Sequence, residues 1–213
     1  ITSLTEDDKD YGPLALGSMT HGISPLEMAA AYAIFGNGGK YTTPHCYTTV
    51  EDSSGEIILE KKVNSVQAIS SQTAYIMNRV MTQVLNSADG RGTGQGLATN
   101  RMESLGKTGT TSDDKDHWFI GLTPYYVTAS WLGYDDPATL TVRHYATHPP
   151  TVAWRKVMNI SQRDLEYKSF DVPNGIVVQD FCVDTGMLAN ANCPTREKGY
   201  YTEDNMPDVC QSH

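Results

Sequence analysis

The sequence lacks an excess of basic residues. Its 213 residues include 16 Lys and Arg against 25 Asp and Glu, and the formal net charge is −9. We therefore expect no nucleic-acid partner, because no basic surface is available to neutralise a phosphate backbone. Several acidic side chains lie close together near the start, where we expect them to form a solvated loop: Glu6, Asp7, Asp8 and Asp10.

Long hydrophobic runs and an initiating methionine are also missing. No apolar stretch approaches the roughly 20 residues of a membrane-spanning helix, and no signal peptide is visible. The first residue is Ile1, and polar sequence follows it. We expect the chain to be a piece of a longer protein, with any targeting or anchoring segment in the missing part.

Cysteine is scarce and unevenly distributed. Three of the four cysteines, Cys182, Cys193 and Cys210, lie within the last 32 residues, while Cys46 lies apart. This clustering favours a disulfide in an oxidising compartment, with Cys182 and Cys193 as the preferred pair. The alternatives are free thiols or a tetrahedral zinc site completed by His213. Separations of 11 and 17 residues between successive cysteines differ from the tight spacing of zinc knuckles, and we expect no metal site.

The histidines offer one further spacing that is typical of metal ligands. His144 and His148 lie four residues apart, as two ligands on one helix face would. Pro149 and Pro150 follow directly, so a helix through both histidines is disfavoured. We expect neither a metal ion nor any other cofactor in the functional site.

Hydrophobic periodicity and turn residues predict a mixed α/β (α+β) fold, with an antiparallel sheet flanked by helices. Capping residues and apolar faces predict helices over residues 25–35, 71–85 and 149–160. Alternating segments predict an antiparallel meander over 104–111, 117–122 and 127–132, and a small hairpin over 47–50 and 56–59.

The chain is predicted to divide near residue 162. The predicted helices and the meander all precede this point, whereas the remainder holds a short predicted strand at 176–178 and the clustered cysteines. We therefore predict a main domain portion over 1–162 and a cysteine-containing C-terminal extension over 163–213.

The stretch Leu-Gly-Lys-Thr-Gly-Thr-Thr at 105–111 has two incompatible interpretations. A phosphate-binding loop requires a glycine at position 101, with four residues between it and the Gly-Lys-Thr unit, and the sequence has Arg101 there. It also requires a helix after the Lys-Thr pair, whereas the Gly-Thr-Thr that follows is a poor helix former. The glycine-rich residues 90–96 do not match a dinucleotide-binding loop either, and we expect a flexible connector there.

The other interpretation is a strand that binds a peptide substrate during acyl transfer. Lys107 supplies a positive charge, and the hydroxyls of Thr108 and Thr110 can donate to a substrate carboxylate. Gly109 allows the substrate backbone to approach closely, while the amide of Thr110 can donate to a developing oxyanion. An extended peptide would pair along such a strand by β-augmentation. We predict Lys107 and Thr110 as catalytic residues and Thr108, Gly109 and Thr110 as substrate-binding residues.

Several motifs surround this strand. In chain order they are Ala15-Leu16-Gly17, Gly22-Ile23-Ser24-Pro25-Leu26-Glu27-Met28-Ala29, Tyr32-Ala33, Gly36-Asn37-Gly38-Gly39, Arg91-Gly92-Thr93-Gly94, Gly106-Lys107-Thr108-Gly109-Thr110-Thr111, His117-Trp118-Phe119-Ile120-Gly121 and Val127-Thr128-Ala129-Ser130-Trp131-Leu132-Gly133-Tyr134-Asp135. Over roughly residues 12–160 the chain resembles the transpeptidase domain of class A penicillin-binding proteins. The Cys-Pro at 193–194 is similar to the extensions that some members carry.

The resemblance implies a penicillin-binding/β-lactamase-like transpeptidase fold and peptidoglycan D,D-transpeptidation by the parent protein. In that reaction a serine attacks the penultimate D-Ala carbonyl of a stem peptide, and an amine of a neighbouring stem resolves the acyl-enzyme. Lys107 would orient the substrate carboxylate and help the proton relay, Thr108 and Thr110 would bind it, and β-lactams would mimic D-Ala-D-Ala. The resemblance also implies a bifunctional, extracytoplasmic synthase whose glycosyltransferase domain and membrane anchor lie upstream.

Two of the three motifs of that active site are missing from the sequence. The family has S-x-x-K and S-x-N elements beside K-T-G, and no Ser-x-Asn occurs here. S-x-x-K spacings occur at Ser104–Lys107 and Ser112–Lys115, but the first enters a predicted strand and the second a turn, whereas the chemistry needs a helical turn. We expect both to be coincidental, the nucleophile to lie in the remainder of the domain, and this piece alone to be inactive.

Two other functions remain compatible with these residues. A serine β-lactamase also uses K-T-G, although about a hundred residues follow the motif here, more than that architecture expects. A non-catalytic wall-binding module would keep the strand and lack the nucleophile. The residue at the S-x-x-K position upstream of Ile1 distinguishes such a module from an enzyme.

Overall fold

The computed structural model describes residues 1–141 and 148–213. The described part contains the α-helices α1 (Tyr11–Leu16), α2 (Pro25–Tyr32), α3 (Ser71–Asn86) and α4 (Pro149–Ser161). Its β-strands are β1 (Lys40–Thr42), β2 (Thr49–Glu51), β3 (Ile57–Glu60), β4 (Ser65–Gln67), β5 (Leu105–Thr110), β6 (His117–Leu122), β7 (Val127–Leu132), β8 (Ile176–Cys182) and β9 (Arg196–Thr202). Short 3-10 helices cover Asp7–Lys9, Ala33–Phe35 and Ser112–Asp114. Helices and antiparallel sheets together confirm the predicted α/β (α+β) class.

The central sheet is the predicted meander of three antiparallel strands, in the order β5-β6-β7. β6 and β7 have the predicted bounds, while β5 begins one residue later and ends one residue earlier than predicted. Lys107 lies opposite Ile120, and Thr110 lies opposite His117. Helix α3 packs against β5, and α4 packs against β6 and β7. The sheet is therefore flanked by helices, with β5 at its edge.

Two facing glycines allow aromatic rings to lie directly on this sheet. Gly106 of β5 and Gly121 of β6 lie opposite each other. A Cβ atom at Gly121 would lie 2.4 Å from the Trp154 ring, and a Cβ atom at Gly106 would lie 2.4 Å from the Phe119 ring. The Phe119 and Trp154 centroids are 4.9 Å apart with an interplanar angle of 60°, and both side chains are fully buried. This ring packing holds α4 on the sheet.

A second core cluster joins the sheet to α3 and to the segment after α4. Leu105 of β5 packs with Met81 of α3 and with Phe170. The Glu103 carboxylate accepts a hydrogen bond from the backbone N–H of Phe170 at 2.8 Å and forms a mostly buried ion pair with Arg79. Phe170 lies beyond the predicted domain boundary, so the segment after that boundary contributes to this core. The position of the boundary itself stays a prediction.

The capping box predicted at the start of α2 is present. The Ser24 hydroxyl accepts from the backbone N–H of Glu27 at 3.2 Å, and the Ser24 N–H donates to the Glu27 carboxylate at 3.4 Å. Pro25 occupies the first helical turn, where its missing N–H leaves no bond unmade. The Thr2 amide and hydroxyl also donate to Glu27. These bonds, those from Thr2 first, lower the pKa of Glu27 to about 2.

Three two-stranded antiparallel sheets accompany the central sheet in the described ranges, pairing β1 with β4, β2 with β3, and β8 with β9. The β2–β3 pair confirms the predicted small hairpin. β8 extends to Cys182, beyond the predicted end of that strand, and pairs with β9 along its whole length. None of the helices in the described ranges is both long enough and apolar enough to span a membrane.

Asp8 departs from the prediction made for the acidic residues near the start. Only 2% of its surface is exposed, so the prediction of a solvated loop is wrong for this residue, whereas the other three acidic residues are exposed. Its carboxylate accepts four hydrogen bonds, from the amides and hydroxyls of Thr5 and Thr20, at 2.7–2.9 Å. These bonds, those from the Thr5 and Thr20 amides first, hold the pKa of Asp8 well below its usual range.

Asp8→Asn is expected to lower the thermal midpoint of the chain by several degrees at neutral pH, because an amide cannot accept all four bonds. The pKa of Asp8 is depressed in the folded state. The ionised Asp8 carboxylate therefore contributes its full stabilisation above the pKa of the unfolded state, which is about 3.9. This contribution is lost as the pH falls toward the lower pKa of the folded state. The wild-type midpoint should fall more steeply than the variant midpoint between about pH 5 and pH 2.

Thermal unfolding followed by circular dichroism across this pH range measures the effect. Asp7→Asn is the matched control, because Asp7 is the exposed neighbour of Asp8. The same pH dependence in the wild type and in Asp8→Asn would contradict the prediction.

Gly121→Ala is expected to reduce the free energy of unfolding by about 1–3 kcal/mol, the usual cost of overpacking a core. The added methyl group would collide with the Trp154 ring and push α4 away from the sheet. Gly12→Ala is the control, because a Cβ atom there meets nothing within 4 Å and alanine favours the helix. Urea unfolding measures the stability of both variants. If Gly121→Ala is as stable as the wild type, the Trp154 ring does not depend on the missing side chain at Gly121.

Candidate active site

β5 is an edge strand, and no strand of residues 1–141 or 148–213 pairs with its outer side. The N–H of Thr111 donates to the carbonyl of Asp116 at 3.1 Å, which makes these two residues a hydrogen-bonded pair. Such pairs alternate along an antiparallel ladder, so Gly109 is the next residue whose backbone bonds to β6. The N–H and C=O groups of Thr108 and Thr110 therefore point to the open edge.

The residues predicted to bind substrate lie together along this edge. Lys107 and Thr110 are exposed, while Thr108 and Gly109 are half-buried. The Lys107 ammonium donates to the carbonyl of Thr108 at 2.9 Å. A Cβ atom at Gly109 would lie 3.2 Å from the Cβ atom of Trp118, so little side-chain volume fits on that face. The edge thus combines a cation, an exposed hydroxyl and outward backbone donors.

The glycine-rich residues 90–96, which were predicted to form a flexible connector, pack against the end of α3. The amide of Gly94 donates to the carbonyl of Val84 in α3 at 2.9 Å. A Cβ atom at Gly92 would lie 2.4 Å from a backbone oxygen of the same helix. Glycine is needed here because the loop backbone lies directly against the end of α3.

The same loop brings Thr93 to the candidate site. Its hydroxyl lies 2.8 Å from the hydroxyl of Thr108, so one of the predicted carboxylate-binding groups already has a partner. In the sequence Thr93 was only one member of a family motif, and its contact with the strand was missed. The closely spaced glycines around it were the available signal, because glycine also marks places where two backbones approach closely.

Hydrogen bonds also hold the turn that follows β5. The N–H of Asp116 donates to the Thr111 hydroxyl at 2.8 Å, and the indole N–H of Trp131 donates to the Asp116 carboxylate at 2.9 Å. Within the turn Asp113 and Asp114 have positive φ angles of 62° and 52°, a conformation that aspartate tolerates better than most residues. The turn therefore fixes the end of β5.

Two stacked imidazoles lie beside the end of β5, on the neighbouring strand β6 and at the start of α4. His117, opposite Thr110, stacks on His148 with centroids 5.2 Å apart and an interplanar angle of 3°. The Nδ1 atom of His148 lies 2.9 Å from the Thr151 hydroxyl at the start of α4. Burial, and then the charge of His117, lower the pKa of His148. His144, the other member of the disfavoured ligand pair, lies outside the described residues.

Neither S-x-x-K spacing forms a pair of nucleophile and base. Ser104 is buried and accepts from a loop amide at 3.2 Å, while the Lys107 ammonium donates to a backbone carbonyl. Ser112 lies in the turn, where the Lys115 ammonium is 3.9 Å from the Asp113 carboxylate. Both spacings are coincidental, as expected.

The four cysteines are free thiols in the structure. The preferred disulfide between Cys182 and Cys193 is therefore not formed in this structure. Cys46 is exposed, whereas the other three cysteines are buried and pack together.

Solved structures share this fold. Penicillin-binding protein 1A from Haemophilus influenzae has a TM-score of 0.81 over 96% of this chain and 35% of that chain, at 23% identity. The PonA1 protein from Mycobacterium tuberculosis, solved in complex with penicillin V, has a TM-score of 0.63 over 80% of this chain and 47% of that chain, at 27% identity. These similarities confirm the predicted transpeptidase fold.

Similarity also extends to sequence. Penicillin-binding protein 1A of Clostridium tetani is 32% identical over 225 residues, which cover 99% of this chain and 28% of the relative. Penicillin-binding protein 1A of Clostridium acetobutylicum is 37% identical over 175 residues, which cover 82% of this chain and 21% of the relative. The chain thus spans less than a third of the length of these relatives. Because the family model described as the penicillin binding protein transpeptidase domain matches residues 7–144, the chain belongs to the transpeptidase domain family of the penicillin-binding proteins, as its resemblance to class A members predicted.

Proposed function

We propose that this chain forms the substrate-binding wall of a serine D,D-transpeptidase whose nucleophile comes from the remainder of the transpeptidase domain. The open edge of β5 carries the proposal, because Lys107 and Thr110 are exposed there and the backbone of Thr110 points outward. The substrates are peptidoglycan stem peptides ending in D-Ala-D-Ala, and β-lactams bind as their mimics. Similarity to proteins named penicillin-binding protein 1A supports this assignment.

An extended stem peptide can add to the open edge as a further strand. The positive charge of Lys107 attracts the terminal carboxylate, which the exposed hydroxyl of Thr110 also binds. The Thr108 hydroxyl has one proton, so it can donate to the carboxylate only when Thr93 donates to Thr108. Thr93 is therefore a positioning residue in this proposal, because it orients the Thr108 hydroxyl across their 2.8 Å contact.

The outward amide of Thr110 is the proposed oxyanion donor. A backbone N–H on a strand fixed at both ends is preorganised, and such donors stabilise the charge that develops during acyl transfer. β5 has this rigidity, because Gly106 packs under the Phe119 ring and the turn bonds of Asp116 hold the far end.

The proposed reaction is a two-step acyl transfer. A serine oxygen attacks the carbonyl carbon of the penultimate D-Ala, and its proton passes to a base of the enzyme. The C–N bond breaks, and the terminal D-Ala leaves as an amine that has taken up a proton. An amine of a second stem peptide then attacks the ester and forms the new amide, and the proton that this amine gives up restores the serine hydroxyl. With a β-lactam the broken C–N bond belongs to the ring, so the leaving group stays attached and the ester persists.

The parent protein in this proposal is a bifunctional, extracytoplasmic cell-wall synthase. Its glycosyltransferase domain and membrane anchor lie upstream of the residues in hand. Support comes from the length of the curated relatives, of which this chain covers 28% and 21%.

The isolated 213-residue chain is expected to form no covalent adduct with a fluorescent penicillin, because its sequence holds no S-x-N element and neither of its S-x-x-K spacings lies on an α-helix. Gel fluorescence and intact mass spectrometry measure this, with the complete transpeptidase domain as the positive control. An adduct mapped to a residue of this chain would overturn the prediction. Rapid release of the label by the complete domain would instead indicate a β-lactamase.

In the complete domain, Thr110→Pro is expected to slow acylation by penicillin about 10²- to 10³-fold, the usual cost of one oxyanion donor. Proline removes the N–H, and the sheet tolerates it because that N–H faces away from β6. Thr110→Ala is the matched control, since it keeps the amide and loses only the hydroxyl. Stopped-flow acylation rates measure both variants. Equal rates for the two would show that the amide has no special role, and thermal midpoints check that each variant is folded.

A further inference from the structure

The hairpin of β8 and β9 carries a cluster of chemically reactive side chains that the proposed function does not use. Cys182, Cys193 and Cys210 have exposed fractions of 0%, 3% and 1% and pack against one another as a separate buried cluster. The cluster lies in the segment after α4. Three buried free thiols in one small cluster require an explanation, because thiols so close together are readily oxidised or bound by metal.

Ligand atoms converge at this cluster. The Sγ atoms of Cys182 and Cys210 and a ring nitrogen of His213 all lie within 4.8 Å of one another. In a tetrahedral zinc site with Zn–S bonds of about 2.3 Å, the ligand atoms are roughly 3.8 Å apart. Cys193 lies outside this group of three but packs on Cys182 and Cys210, and it is the fourth ligand that would complete a set of three sulfurs and one nitrogen. Donors of this type in this number are typical of structural zinc sites.

The backbone explains how distant cysteines reach one point. Cys182 ends β8 and begins a tight turn, in which the Gly186 N–H donates to the Cys182 carbonyl at 2.8 Å. The Cys210 N–H donates to the Leu188 carbonyl at 2.8 Å, which holds the last segment against this turn. The Asn190 side chain donates to the carbonyl of Cys210 at 2.8 Å. The separations of 11 and 17 residues that argued against zinc in the sequence are thus closed by the hairpin.

Hydrogen-bond donors also lie against the sulfur atoms of this cluster. The Thr185 hydroxyl donates to the Cys210 sulfur, and the backbone N–H of Asn190 donates to the Cys193 sulfur, each at 3.4 Å. The Nε2 atom of His213 lies 3.4 Å from the Asp184 carboxylate. Carboxylates beside metal-binding histidines commonly fix the orientation of the ring.

A disulfide explains the cluster less well. Any disulfide within it uses two of the three sulfurs and leaves the third buried beside the others. A metal ion uses all three sulfurs and also accounts for His213, which a disulfide leaves without a role. A four-coordinate site has no open position for substrate, so its role is structural.

We propose that Cys182, Cys193, Cys210 and His213 bind one Zn²⁺ ion. Binding releases the three thiol protons to solvent and forms three Zn–S bonds and one Zn–N bond. The metal links the hairpin to the last residues of the chain. The hairpin in turn contacts α3 through Tyr200, whose ring meets that of Tyr75 edge to face at 6.0 Å. The site therefore holds the extension together beside the helix that supports β5.

The test begins with the 213-residue chain purified under reducing conditions and reconstituted with zinc. We expect one equivalent of zinc by plasma mass spectrometry after gel filtration. Cobalt in place of zinc should give the visible absorption of a tetrahedral thiolate site. Cys46 should react at once with a thiol reagent, whereas the other three cysteines should react only after a chelator is added.

Variants separate the ligands from other residues of the same type. Cys210→Ser and His213→Ala should weaken zinc binding, which competition with a chromophoric chelator measures. Loss of a residue that only hydrogen-bonds a ligand costs roughly 10- to 100-fold in metal affinity, and loss of a ligand should cost more. Cys46→Ser and His45→Ala are the matched controls and should bind zinc as the wild type does, because both residues are exposed and lie outside the cluster.

Two results would overturn the proposal. One is a reduced, folded chain that binds no zinc or cobalt above the level of a Cys210→Ser variant. The other is a chain that forms a disulfide within the cluster on isolation, shown by peptide mapping, and does not bind zinc after reduction. If Cys210→Ser does not fold, His213→Ala and the cobalt spectrum of the wild type decide the question.

Discussion

The packing of two aromatic rings on two facing glycines is the constraint on which the rest of the structure depends. Phe119 and Trp154 occupy the space that side chains at Gly106 and Gly121 would fill. This contact fixes α4 on the sheet. It also fixes β5 at Gly106, which directly precedes Lys107. The residues at the open edge of β5 are therefore positioned by a dry, rigid contact at the start of the strand, where solvent does not compete.

Elements that are distant in the sequence complete the edge. The loop after α3 brings a threonine hydroxyl to Thr108, and the indole of Trp131 in β7 bonds the turn after β5. Glu103, just before β5, bonds Arg79 of α3 and the backbone of Phe170. The strand is thus held at both ends and on one face, while its outer side is left open. Rigidity of this kind reduces the entropy that a bound peptide must overcome.

Local patterns predicted the elements more successfully than the contacts between them. The bounds of β6 and β7 follow from alternation and from turn residues on either side, both of which are local. The burial of Asp8 could not be predicted, because its partner Thr20 reaches it only when two segments of the folded chain meet. The glycines at 90–96 suggested mobility because close packing and flexibility use the same residue. Linear spacing did not predict that three cysteines meet, because it does not report where a hairpin returns.

The open side of β5 has a consequence for the behaviour of many copies of the protein in solution. A strand edge that can accept one extended peptide can also accept the same strand of another copy, which is a common route to aggregation. Lysine on an edge strand opposes such pairing, because two copies would bring like charges together and strip water from them. Lys107 therefore disfavours pairing with a second copy of β5, and in the proposed function the same charge attracts chains that end in a carboxylate.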